Sequence, residues 1–186
     1  MLAEGIRIFL GINTCITPIE ALLKRLGLCV PSNLMRLTDA KNLHVTLQFI
    51  AAFPSEKLCE LIKEVEMLAA KTAVFSLPLQ GPAPFPSARE PTHLVLPVAS
   101  SELSALVSAL ALMLEALGIA PELRPFQGHI TLGKIHDWTR LQPFLDPFKA
   151  PMIDTRIMVR EIMLYQSTSL EGKSAYTVLK RFALQG

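Results

Sequence analysis

The chain has 186 residues, enough to bury a sizeable core in one domain or in one domain of two similar lobes. Apolar residues make up 51% and charged residues 18%, a balance that excludes a disordered chain. A net charge of +2 is too mild for a long duplex-binding face and suits a local pocket for one phosphate or a short RNA end.

Residues 5–12 alternate Ile6, Ile8, Leu10 and Ile12 with Arg7 and Phe9, the period of a strand. Thr17-Pro18-Ile19-Glu20 then reads as a helix start: Thr17 can cap, Pro18 suits the first helical position, and Glu20 completes a capping box. Leu22, Leu23 and Leu26 form its apolar stripe, and Gly27 is the expected stop. Residues 43–50 are a strand candidate. Pro54-Ser55 opens a second helix with Leu58, Leu61, Ile62, Val65, Leu68 and Ala69 inward. Strands are expected at 75–79 and 92–98, separated by a Pro-rich loop at 81–91. Ser101 can cap a third helix that reaches Gly118. Residues 129–134 form a short strand, 138–146 hold a helical turn limited by Pro143, and 156–166 and 175–184 read as closing strands around Glu171-Gly172. The order is α+β with no clean linker.

The mean hydropathy is positive. However, the most apolar stretch, 103–114, is broken by Ser104 and Ser108 and is too short to span a bilayer. Residues 1–5 lack a basic n-region and a signal-like apolar core, so a cytoplasmic protein with no membrane partner is expected. Cys15, Cys29 and Cys59 are odd in number and widely spaced, which predicts reduced, buried or incidental thiols.

The strand at 43–50 carries His44-Val45-Thr46-Leu47, and the strand at 129–134 carries His129-Ile130-Thr131-Leu132. Two of only four histidines therefore share one local context, which points to an internal repeat. Side chains two apart on a strand share a face, so each His stands beside its Thr while the apolar residues enter the core. Two such faces across a cleft would supply two imidazoles that titrate near neutrality, one as base and one as acid. They would also supply two hydroxyls able to hydrogen-bond phosphate oxygens. Phosphodiester hydrolysis needs that set and no metal or other cofactor. A metal is disfavoured because neither His has a second ligand at i+2 or i+4. The competing reading is a pair of purely structural strand histidines.

The flanking residues carry a resemblance. Ile6-Arg7-Ile8-Phe9-Leu10-Gly11-Ile12, Asn42-Leu43-His44-Val45-Thr46-Leu47-Gln48-Phe49 and Phe85-Pro86-Ser87 followed by Arg89-Glu90-Pro91 are similar to segments of the 2H phosphoesterase superfamily, RNA 2′,3′-cyclic phosphodiesterase (2′–5′ RNA ligase) family. So are the run from Arg124 to Lys134, Leu164-Tyr165-Gln166-Ser167, and Tyr176 to Phe182. The resemblance implies that 1–186 is a single α+β domain. It would be a duplicated, bilobal fold in which two antiparallel sheets face a central cleft with helices outside.

The resemblance also implies hydrolysis of RNA 2′,3′-cyclic phosphate ends to a 2′-phosphate, which some members reverse as 2′–5′ joining. His44 would be general acid and His129 general base, and Thr46, Thr131 and Lys134 would hold the phosphate. RNA 3′ ends or small cyclic nucleotides are the implied partners of a monomer. A cyclic phosphodiesterase for ADP-ribose cyclic phosphate or 2′–5′ oligoadenylate, or a non-catalytic RNA-end binding module, stay open as alternatives.

The chain departs from the family in places. Gly128 stands where Pro often precedes the second His, Ile50-Ala51-Ala52 where Leu-Gly-acidic is common, Leu37 near an expected aromatic, and Lys134 where Arg is frequent. Strict alternation puts Lys134 opposite His129, so it joins the site only if Gly133 permits a bulge or the strand ends there. Phe49 is expected in the core, Arg89 and Arg124 at a solvated surface, and His93 and His136, which lack a Thr partner, in structural or surface roles. The role of Trp138 is open.

Overall fold

A computed structural model describes residues 5–122, 124–148, 155–170 and 173–186; the expected turn at Glu171-Gly172 and residues 1–4 lie outside them. Among the described residues the strands are β1 (Ile6–Asn13), β2 (Met35–Leu37), β3 (His44–Phe53), β4 (Phe75–Pro78), β5 (Ala83–Phe85), β6 (His93–Pro97), β7 (His129–Ile135), β8 (Arg156–Val159), β9 (Glu161–Leu170) and β10 (Lys173–Ala183). The helices are α1 (Thr17–Cys29), α2 (Leu58–Ala69), α3 (Ser101–Ala116) and α4 (Trp138–Leu145).

Eight strands form one antiparallel sheet in the order β10-β9-β1-β3-β7-β6-β5, with β2 also on β7, while β4 and β8 make a separate two-stranded sheet. The two sheets expected to face a cleft are thus two wings of one hydrogen-bonded path. They meet between β3 and β7 at a single pair, Val45 with Ile130. These two residues are the inward neighbours of the two histidines, and both are fully buried. One apolar core runs beneath both wings and takes in the inner faces of α1, α2 and α3.

Several boundaries move for physical reasons. Ile16, not Thr17, is the N-cap of α1, and its helix runs past Gly27 to Cys29, because Leu26 and Val30 are buried and carry the chain on. Ser100 rather than Ser101 caps α3, its hydroxyl accepting from the Leu103 N–H at 3.0 Å. Pro143 sits inside α4 without ending it. The expected strand at 156–166 divides at Arg160 into β8 and β9, which belong to different sheets. All three cysteines are exposed, so the buried alternative fails for each. Trp138 opens α4 and packs, partly buried, against the core. Among the described residues no helix is long and apolar enough to cross a membrane.

Candidate active site

The two tetrapeptides share a feature that alternation does not predict. On β3 the register steps from Leu10–Gln48 to Gly11–Thr46, leaving Leu47 as an extra residue. On β7 it steps from Leu94–Gly133 to Val95–Thr131, leaving Leu132 extra. A bulge therefore falls at the Leu of both His-x-Thr-Leu copies, and it reverses the facing of the residues just beyond it. Gln48 turns into the core, where its Nε2 donates to the Val107 carbonyl of α3 at 3.4 Å. Phe49 turns to the face of His44 and packs, partly buried, beside Phe9, with the Arg7 guanidinium 5.4 Å from its ring centre. The expectation of a core Phe49 is corrected by that bulge. Likewise Lys134 comes to the face of Thr131, where both line the same cleft.

Gly133 stands beside the second bulge, where β2 comes close. A Cβ there would lie 2.8 Å from the Arg36 carbonyl oxygen of β2, too close for any side chain. Gly128 is tighter still, since a Cβ would meet the Val98 carbonyl oxygen at 2.5 Å. That carbonyl belongs to a segment fastened to Gly128 by a backbone bond from Val98 N–H, 2.9 Å long. The absence of Pro before the second His follows from this approach.

The cleft encloses about 1100 Å³, and its lining includes His44, Thr46, Thr131 and Lys134. His129 is outside the lining itself. The Phe85 ring stacks on its imidazole, 4.2 Å between centres and 28° between planes. Its charge still reaches the cleft, because it disfavours protonation of His44 and of His93.

Both imidazoles are pinned by the same device. His44 Nδ1 lies 2.7 Å from the Asn42 carbonyl, and His129 Nδ1 lies 2.7 Å from the Gln127 carbonyl. A carbonyl only accepts, so each Nδ1 carries a proton and each neutral ring leaves Nε2 as its basic atom. For His44 that atom accepts from the Thr46 hydroxyl at 3.0 Å. Among the described residues Thr131 makes no matching bond to His129.

Rings enclose His44. Phe9 is 4.8 Å away and tilted, and Tyr176 meets it edge-on at 5.2 Å, while Tyr165 stacks on Phe9 at 4.6 Å. Burial therefore lowers the His44 pKa, partly offset by the Asn42 bond, and the charge of His129 lowers it further. Burial also pushes the Tyr165 phenol up to about 12, so it stays protonated, donating to Met163 Sδ at 3.0 Å.

Sequence reasoning missed this aromatic wall, although Phe9 stood on the non-core face of β1 throughout. It also placed His93 outside the site, whereas His93 lines the cleft. His136 is exposed, Arg89 is exposed, and Arg124 is exposed in an ion pair with Glu122 at 2.8 Å, as expected. Leu37 lines the cleft where an aromatic was expected. Among the described residues no three His, Cys, Asp or Glu side chains are grouped to hold a metal.

Residues 17–170 match the family model described as the 2′-5′ RNA ligase superfamily. A Geobacillus stearothermophilus protein named RNA 2′,3′-cyclic phosphodiesterase is 32% identical over 148 residues, which cover 77% of this chain and 46% of that protein. The chain thus spans about half the length of that relative. An Aquifex aeolicus (strain VF5) protein of the same name is 27% identical over 153 residues, 80% of this chain and 81% of the relative. Among solved structures, E. coli LigT in apo form aligns with a TM-score of 0.76 at 25% identity, covering 99% of this chain and 100% of LigT. LigT complexed with 3′-AMP aligns at 0.75 and 25% identity, covering 98% and 100%.

Proposed function

Since the chain belongs to the 2′-5′ RNA ligase superfamily, we propose that it opens 2′,3′-cyclic phosphate ends of RNA to a 2′-phosphate, using His44 and His129 as an acid–base pair without a metal. The observation that carries this reading is the matched pinning of the two rings, Nδ1 to the carbonyl two residues upstream at 2.7 Å in both. Two imidazoles so held present Nε2, the atom that can take or give the proton in flight. Each has a Thr two residues on, at the cleft wall.

In the proposed reaction water attacks phosphorus opposite the 3′ oxygen. His129 takes the water proton, the P–O3′ bond breaks, and His44 gives its proton to the departing 3′ oxygen. Thr46, Thr131 and Lys134 hold the phosphate oxygens as charge shifts among them. Burial and the charge of His129 oppose the acid role of His44, since both lower its pKa. An entering phosphate anion favours it, because negative charge stabilises the imidazolium. Protonation also changes the use of Thr46: once Nε2 bears a proton it no longer accepts, and the hydroxyl is free to donate its hydrogen bond to a phosphate oxygen.

The same reading takes 1–186 as one domain of two pseudo-symmetric lobes, working as a cytoplasmic monomer. The test is hydrolysis of a short RNA ending in a 2′,3′-cyclic phosphate, in EDTA, by wild type, His44→Ala and His129→Ala. A 2′-phosphate product lost in both variants supports the pair. Complete EDTA inhibition reversed by a divalent metal would sink the mechanism. A bound but unhydrolysed RNA end would indicate a binding module.

A further inference from the structure

Beyond the phosphate-holding threonines the cleft carries a row of basic side chains on three adjacent strands. Arg36 of β2 is the register partner of Lys134 on β7, and Lys134 is the register partner of His93 on β6. Directly opposed residues of antiparallel strands share a face, and all three line the cleft. Like charges in that relation destabilise a sheet. Nothing among the described residues relieves them: neither Arg36 nor Lys134 has a carboxylate partner, and Asp39, the acid in the lining, is ion-paired with Lys41 at 3.2 Å. His93 feels the same field, since after burial the charges of Lys134 and His129 are what lower its pKa.

We propose that Arg36 and His93, which flank the Lys134 of the cyclic-phosphate site, form with it a subsite for a second phosphate, the one on the 5′ side of the cyclic ribose. The position fits. Thr131 pairs with Val95 and Lys134 with His93, so the bulge sets the levels of the two phosphates two residue steps apart on β6, with Leu94 between them. That is about 7 Å at the rise of a strand, a separation that a single nucleotide bridges. Two strands and a bulge bring the row together around Gly133, where β2 and β7 approach too closely for a side chain. A bare nucleoside cyclic phosphate would engage Lys134 and leave Arg36 and His93 without an anion. The ligand chemistry is therefore a ribose cyclic phosphate with a 5′ phosphate group, supplied either by an RNA internucleotide diester or by the 5′ phosphate of a small nucleotide.

This inference rests on the cyclic-phosphodiesterase reading for its substrates, so the test has an arm free of turnover. Calorimetry would compare adenosine 2′-phosphate with adenosine 2′,5′-bisphosphate on wild type, Arg36→Gln/His93→Gln and Arg36→Lys. Wild type should prefer the bisphosphate by roughly tenfold or more, the double variant should lose that preference, and Arg36→Lys should keep most of it. Equal affinities for the two ligands on wild type, or a preference intact in the double variant, would overturn the subsite whatever the activity. In the kinetic arm, kcat/KM is compared for adenosine 2′,3′-cyclic phosphate, its 5′-phosphorylated form, and a dinucleotide ending in the cyclic phosphate. A gain on the dinucleotide, abolished with Arg36 and His93, supports the subsite with RNA as the source, and a gain on the 5′-monophosphate alone supports it with a small nucleotide. Equal losses on all three substrates would count against it.

Discussion

His44 and His129 are held by the same backbone device but stand in different company. Each donates Nδ1–H to a carbonyl two residues upstream at 2.7 Å. Each is followed by Thr on the same face and then by a bulge at Leu. Around His44, however, Phe9 and Tyr176 close in, and the Thr46 hydroxyl occupies Nε2. Around His129 the Phe85 ring covers one face, and among the described residues Thr131 makes no bond to Nε2. The backbone thus leaves Nε2 as the basic atom of both neutral rings, while burial, with the charge of His129, lowers the pKa of His44. Two groups whose surroundings differ in that way are suited to opposite roles in one proton transfer.

The largest expected effect breaks the comparison from both sides. His44→Ala and His129→Ala should each lower turnover of the cyclic-phosphate RNA by about a thousandfold, the middle of the range for a lost acid or base. A residue that could be removed for less than tenfold would not belong to the pair, and the two wings would no longer be equivalent in function.

Next comes a test of why the wings differ in sequence. Gly128→Pro would restore the residue that the resemblance leads one to expect before the second His. Its Cβ would sit 2.5 Å from a backbone oxygen that is itself fastened to residue 128, so the segment after β6 would have to move. We expect a loss of about 2 kcal/mol or more in urea denaturation. Unchanged stability would mean that the approach of Val98 relaxes at no cost.

What the sequence made legible divides along the same line. The alternation of Ile6, Ile8, Leu10 and Ile12 and the duplicated tetrapeptide were enough to place β1, β3 and β7 and to pair each His with its Thr. Those features are local and carry a period. The bulges were not legible, because an extra residue at Leu47 or Leu132 leaves the hydrophobic pattern intact and is betrayed only by Gly133. Lys134 could be admitted only on condition of that bulge, and Phe49 was assigned to the wrong face for want of it. Arg36, Lys134 and His93 come from three separate stretches of chain, and only the sheet register makes them neighbours. Phe85 lay in a stretch read as Pro-rich loop, and three-residue β2 is too short to show any period.

The smallest effects sharpen the difference between the two histidines. Thr46→Ala and Thr131→Ala should each cost roughly tenfold in turnover, less than a histidine, because each removes one hydrogen bond to the phosphate. Thr46→Ala should do something more. In the free protein the Thr46 hydroxyl bonds the neutral form of His44, and losing it disfavours that form, so an NMR titration should show the His44 pKa moving up from its lowered position. Adding 2′-AMP should move it up as well, since the phosphate favours the charged ring. As the acid, His44 must be protonated, so activity falls as pH rises through its pKa. The alkaline limb of kcat/KM, which reports free enzyme, should therefore lie at lower pH than the limb of kcat, which reports the complex. In Thr46→Ala the kcat/KM limb should shift to higher pH along with the NMR titration. A limb that ignores the His44 titration would transfer the acid role to His129 and leave the more enclosed imidazole, already held neutral by its ring wall, as the base.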